Sequence, residues 1–401
     1  MGIRMISISE KMYALGSKRS VIREMFEYGK KRAAEIGADK VYDFSIGNPS
    51  VPAPDCVREA IMELVSEPDS VSLHGYTSAQ GDPAVRKAIA DSINKRFGTS
   101  ITENHIYMTV GAAASVSICC KALSVPEDEF ITFAPFFTEY RVFVESTGSK
   151  LVVVPPKMDD FQIDFEAFEK LINEHTKGII VNSPNNPSGV VYSEETVIKL
   201  CDLLRKKQEE YGHPIFLISD EPYREIVYDG VNVPYFMNYY DNTFVCYSYS
   251  KSLSLPGERI GYIAVSDKMA EEPAVYAAVC GAGRALGYVC APSLMQKVVG
   301  KCVDKTADVS IYKQNRDLLY GGLTELGYDC VKPDGAFYLF VKALEPDANA
   351  FSEKARKYEL LLVPGDDFGC PGYVRVSYCV RTDMIKNAMP AFAALAKEYL
   401  G

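Results

Sequence analysis

Between His105 and Ser266 the chain alternates short β-branched or aromatic runs with segments of helical periodicity. The runs are HIYMTV, EFITFAP, LVVVPP, GIIVNSP, IFLISDEP, TFVCYSYS and RIGYIAVS. Intervening stretches such as SEETVIKLCDLLRKKQEEYG place apolar residues at helical spacing and end in glycine, a helix stop signal. Strand and helix alternating in this way build βαβ units around a mostly parallel sheet. The expected fold is therefore α/β, with a mostly parallel seven-stranded sheet flanked by helices.

The chain ends lie outside this alternation. At 401 residues the chain exceeds the size at which one core stops growing, which favours two lobes. Proline-rich stretches near Pro49 to Pro54 and near Pro292 mark the hand-overs. The expected division is an arm and part of a small domain over 1–50, a large domain over 51–290, and the rest of a small α+β domain over 291–401.

Acidic residues outnumber basic ones by 53 to 43, giving a formal charge of −10. That balance argues against nucleic acid or an acidic membrane as partner, since phosphate contacts need a basic face. Eleven cysteines without CxxC spacing sit in apolar runs such as VSICCKAL and read as reduced core residues. The first residues, MGIRMISISEKMYALGSKRS, lack the apolar run of a signal peptide, and no uncharged stretch reaches membrane-spanning length. A cytoplasmic location follows as the expectation. No internal repeat or low-complexity segment is present, which excludes solenoids and disordered tails.

Unusual residues cluster directly after the strand-like runs. GAAAS follows the first, FFTEY the second, NNPSG the fourth, EPYRE the fifth and SKSLS the sixth. Ligands of open parallel sheets bind beyond the carboxyl ends of the strands, so one site can gather all five. Gly111, Ala112 and Ala113 open a helix whose N–H groups suit a phosphate, although tight helix packing explains small residues equally well. Asp220 ends an apolar run, where a carboxylate needs a cationic or hydrogen-bonding partner; a structural ion pair is the alternative. Asn186 places an amide at the same edge, within a segment that also reads as a turn.

Lys251 has three readings: a surface charge, the base of a Ser-x-x-Lys pair with Ser248, or an amine for Schiff-base chemistry with a carbonyl cofactor. The second lacks its companion Ser-Asp-Asn and Lys-Thr-Gly motifs. The third gains from Asp220, Arg259 and the phosphate-like turn. GAGRALG misses the dinucleotide fingerprint, and His74, His105, His175 and His213 show no metal-ligand spacing, so no metal is expected.

Taken together, GYTSAQGDPAVRKAIA, VGAAAS, APFFTEY, NSPNNPSG, SDEPYREIVYDG, YSYSKSLSLPGERIGY and YVRVSYCV resemble the class I aminotransferases of the pyridoxal-phosphate fold-type I (aspartate aminotransferase) superfamily. The motifs keep the family's order and span nearly the whole chain. The resemblance implies pyridoxal 5′-phosphate as cofactor and transfer of an amino group from an L-amino acid to a 2-oxo acid by a ping-pong route. Lys251 then matches the lysine that holds the cofactor and moves the substrate Cα proton, and Asp220 the carboxylate that keeps the pyridine nitrogen protonated. Tyr223 and Asn186 match donors to the phenolic oxygen, and Phe137 the aromatic that stacks on the ring. Gly111, Ala112, Ala113, Ser248 and Arg259 match the phosphate site. Gly47, Asn186 and Arg375 match the substrate-carboxylate site, and Arg381 reads as structural or a surface charge. Tyr76 matches a tyrosine that reaches the partner subunit's phosphate, which implies a homodimer with shared sites.

One departure bears on substrate. Some bacterial aspartate members carry Lys at the position of Ala113; Arg141 could provide a cation instead, with a solvated helix arginine as the favoured reading. Aspartate and glutamate therefore stay open beside aromatic and small neutral amino acids. A C–S β-lyase of the same fold shares the motifs. A non-catalytic regulator would add a DNA-binding domain ahead of the fold, and a Ser/Lys hydrolase would use Ser248 as nucleophile.

Overall fold

The computed structural model describes residues 8–17 and 21–401. The first seven residues of the expected arm and Lys18 to Ser20 lie outside the described residues. The seven runs form β1 (Ile106–Thr109), β2 (Glu129–Phe133), β3 (Lys150–Val154), β4 (Thr176–Asn182), β5 (Phe216–Asp220), β6 (Thr243–Ser248) and β7 (Gly261–Val265). They make one sheet in the order β1-β7-β6-β5-β4-β2-β3. β7 pairs antiparallel with both its neighbours, and the other neighbouring pairs are parallel.

Apolar runs without polar interruption suit strands covered on both faces. Alternate residues of β5 show this: Ile218 packs with the helix Ala112–Leu123, and Leu217 with the helix Glu194–Tyr211. The second of these helices illustrates the local code. Ser193 caps its start by accepting from the Thr196 N–H at 3.1 Å, Glu194 and Glu195 face the positive dipole end, and Gly212 ends it at φ 74°. Between them Val197, Leu200, Cys201 and Leu204 form one wholly buried stripe.

A second lobe joins the two chain ends. Tyr42–Asp43 pairs in parallel with Leu360–Leu361, and the antiparallel strands β8 (Tyr338–Lys342), β9 (Val363–Pro364) and β10 (Tyr373–Ser377) lie in the order β9-β10-β8. The helices Ser310–Glu325 and Thr382–Leu400 help enclose a core that includes Phe44, Tyr312, Phe337, Val376 and Phe392. The helix Ser293–Lys301 packs instead against Asp55–Ser66 and Pro83–Phe97 of the first lobe. All eleven cysteines are free thiols, and no helix of the described residues is long and apolar enough to cross a membrane.

Candidate active site

Strand direction explains which side chains meet. β1, β2, β4, β5 and β6 all finish at one sheet edge, and β7, running the other way, starts there. Arg259, two residues before β7, thus arrives beside the residues that follow the other strands. A cavity of about 290 Å³ at this edge is lined by residues from both lobes, among them Ala112, Phe137, Asp220, Lys251, Arg259 and Arg375.

At one part of this cavity the donors converge as an anion cradle would require. Gly111, at φ 103°, precedes the helix Ala112–Leu123, and a Cβ on it would stand 2.5 Å from Arg259 Nη2. Only glycine lets the guanidinium approach the helix start, where free N–H groups and the dipole favour negative charge. Ser248 caps the short helix Tyr249–Ser252, and its Oγ lies 2.8 Å from Ser250 Oγ. Arg259 Nη1 donates to that same Ser250 Oγ at 3.3 Å and to the Pro256 carbonyl at 2.9 Å.

Asp220, the last residue of β5, is buried, and Tyr140 donates to its Oδ2 at 2.5 Å. Its Oδ1 is equally buried and has no hydrogen-bond partner among the described residues. Burial pushes the carboxyl up to about 7; the Tyr140 bond opposes this, and the Glu221 charge adds to it. A buried acceptor with an open lone pair fits a cationic donor entering the cavity. Lys251 shows the reverse effect. Burial lowers its ammonium to about 8, with Arg259 and Arg375 acting in the same direction and Cys379 opposing. Its Nζ donates to the Gly47 carbonyl at 2.7 Å. No hydrogen bond links it to Ser248, whose hydroxyl serves the short helix instead.

The second lobe supplies Arg375 from β10. Its Nη1 donates to Asn186 Oδ1 at 3.0 Å and its Nη2 to the Ser45 carbonyl at 2.6 Å, while Nε is buried with no partner among the described residues. Because Asn186 Oδ1 is engaged, the Nδ2 of that amide is left to donate into the cavity. Asn182, adjacent to Asp220 in the sheet register, steadies both sides: its Nδ2 donates to the Asp220 carbonyl at 2.8 Å, and its Oδ1 accepts from the Asn186 N–H at 2.7 Å. Tyr223 and Tyr338 place their hydroxyls 3.1 Å apart. A Cβ on Gly47 would overlap the Tyr338 hydroxyl, so the close approach that Gly47 permits is to this ring.

Residues 39–392 match the family described as aminotransferase class I and II. The chain belongs to that family. As an aminotransferase it is 63% identical to the crystal structure of an amino transferase from Eubacterium rectale, with TM-score 0.97 over 99% of this chain and 100% of the other. The Thermus thermophilus aspartate aminotransferase solved with maleate is 25% identical, with TM-score 0.85 over 98% and 100% of the two chains. A probable aspartate aminotransferase of Methanocaldococcus jannaschii is 29% identical across 93% of this chain and 96% of its own length.

Within this aminotransferase the cavity brings together Gly47, Ala112, Ala113, Phe137, Asn186, Asp220, Tyr223, Ser248, Lys251, Arg259 and Arg375, with Gly111 directly behind Arg259. Tyr76 is not among the lining residues and is 98% exposed on the single chain. Arg141 points to solvent and pairs with Glu145 at 3.0 Å, and Arg381 is an exposed partner of Asp383. Tyr140, Asn182, Ser250 and Tyr338 escaped sequence reasoning. Ser250, inside SKSLS, and Tyr140, one helical turn after Phe137, had positional signals; Tyr338 had none near a site motif.

Proposed function

We propose that this aminotransferase uses pyridoxal phosphate, held in the cavity, to move an amino group from an L-amino acid to a 2-oxo acid by a ping-pong route. The observation that carries this reading is one cavity containing an amine of lowered basicity, a buried carboxylate oxygen without a partner, and an anion cradle. Bound there, the cofactor supplies a carbonyl that condenses with amines and a ring that accepts the electrons released at the substrate Cα.

The chain's own residues do the rest. Ser248, Ser250, Arg259 and the N–H groups at Ala112 and Ala113 hold the phosphate. Asp220 Oδ1 would accept from a protonated ring nitrogen and keep that proton in place, and Phe137 would pack against the ring. Tyr223 and Asn186 Nδ2 would donate to the ring oxygen. Arg375 grips the substrate carboxylate, for which its unpartnered Nε remains a donor. Lys251 would hold the cofactor through its amine and, as a free neutral amine, would take up and return the substrate Cα proton. We further place the enzyme in the cytoplasm as a homodimer in which Tyr76, exposed on the single chain, reaches the partner's phosphate site.

The half-reaction tests this reading. Cofactor-loaded protein given one amino acid and no oxo acid should release a single equivalent of oxo acid per site, stop, and restart when a second 2-oxo acid is added. Continued release of oxo acid together with ammonia would instead mark a lyase.

Two further results follow. The neutral amine of Lys251 is the reactive form, so capture of pyridoxal phosphate by cofactor-free protein should accelerate with rising pH, with a midpoint at about 8. Absorbance-monitored mixing across this range checks it; a midpoint near the ordinary lysine value of 10.5 contradicts it. For Tyr76→Phe, loss of one shared hydrogen bond to an anion should weaken cofactor retention roughly tenfold, measured by dialysis. Unchanged retention would count against sharing of sites.

A further inference from the structure

Tyr338 opens β8, is buried, and lines the cavity, yet no site motif contains it. Among the described residues its hydroxyl hydrogen-bonds only to that of Tyr223, at 3.1 Å, with the two rings nearly perpendicular at 81°. The Arg375 guanidinium lies 4.6 Å from the centre of its ring. Gly47, whose carbonyl accepts from Lys251, lacks the Cβ that would fill the space of the Tyr338 hydroxyl. One side chain thus touches the carboxylate clamp, the Tyr223 phenol and the loop that holds the Lys251 amine.

Two facing hydroxyls have two protons and use one between them. We propose that Tyr338 is a positioning residue: its hydroxyl donates to the Tyr223 oxygen, turning the Tyr223 proton into the cavity, while its ring seats the Arg375 guanidinium. The charges around the pair support this direction. Arg375 and Cys379 face Tyr338, and Tyr338 itself is pushed up to about 12 by burial with Arg375 opposing. Tyr223, faced by Tyr338, Arg375 and Asp220 with Lys251 6.0 Å from its ring centre, is driven well above its usual value by burial, with Tyr338 and Asp220 adding to it. The cationic Arg375 guanidinium, 4.6 Å from the centre of the Tyr338 ring, favours Tyr338 as the donor of the pair. The role rests on the cofactor reading above, because the cofactor's ring oxygen is what the Tyr223 proton would meet.

The test uses cofactor-loaded wild type, Tyr338→Phe, Tyr223→Phe and the double variant. A donor to the ring oxygen stabilises its anion, so Tyr338→Phe should raise the pH midpoint of the bound-cofactor absorbance by up to about one unit. It should also lower kcat about three- to tenfold and leave KM within about twofold, since phenylalanine still seats Arg375. In the Tyr223→Phe background the same substitution should leave the midpoint unmoved. Tyr338→Leu, which removes the ring as well, should add a roughly fivefold rise in KM. A midpoint that stays put in Tyr338→Phe, or moves equally in both backgrounds, overturns the proposal while leaving the function intact. A wild type that takes up no cofactor overturns both.

Discussion

Replacing Lys251 by alanine is expected to lower kcat/KM by at least about 10⁴-fold, the upper range for one group that moves a proton in the transition state. The variant should still fold, because the one hydrogen bond described for the lysine goes to the Gly47 carbonyl. Lys251→Arg should fare no better: a guanidinium stays charged at every accessible pH and offers no amine for the cofactor or the Cα proton. Single-turnover measurement with excess amino acid checks both. Retention of about one per cent of activity in Lys251→Arg, with an acyl probe labelling Ser248, would move the chemistry to the serine.

Asp220→Asn should cost roughly 10²- to 10⁴-fold in kcat/KM, the effect of stripping one partner from a buried charge pair. The amide keeps the shape and can still accept from Tyr140, while its NH2 replaces Oδ1, so the loss removes both the charge and the acceptor facing the cavity. Stability should move the opposite way. In the cofactor-free fold the carboxyl is held near 7 against an ordinary 3.8, so the folded state binds more protons between those values. Its stability contribution therefore falls as pH rises through that window, and the aspartate is a burden at neutral pH. Cofactor-free Asp220→Asn should melt at an equal or higher temperature than wild type at pH above about 7, in line with strain retained for function. Activity within tenfold of wild type, or a clearly lower melting temperature, would contradict this account of Asp220.

Much of the fold was legible because its strands are buried on both faces and read as unbroken apolar runs. All seven runs became strands of one sheet, and the residues following five of them line the cavity. The reversed direction of β7 was not legible, since Gly261–Val265 carries the same pattern as its parallel neighbours. The short strands of the second lobe gave no periodic signal: β9 has two residues. The positioning partners were hidden for a different reason. Tyr140 stands 80 residues from Asp220, and Tyr338 stands 115 from Tyr223, so only tertiary packing gives either tyrosine its role. The side chains named by motif share the cavity, whereas Tyr76 stays outside it on a single chain.

The central claim is that Lys251 is the amine that holds the cofactor. Borohydride reduction of the pyridoxal-phosphate-loaded protein, followed by protease digestion and peptide mass mapping, tests it most directly. The label should fall at about one per chain on the peptide containing Lys251, and adding amino acid before reduction should abolish it. A label shared among exposed lysines, or a Lys251 peptide left unmodified, would contradict the account.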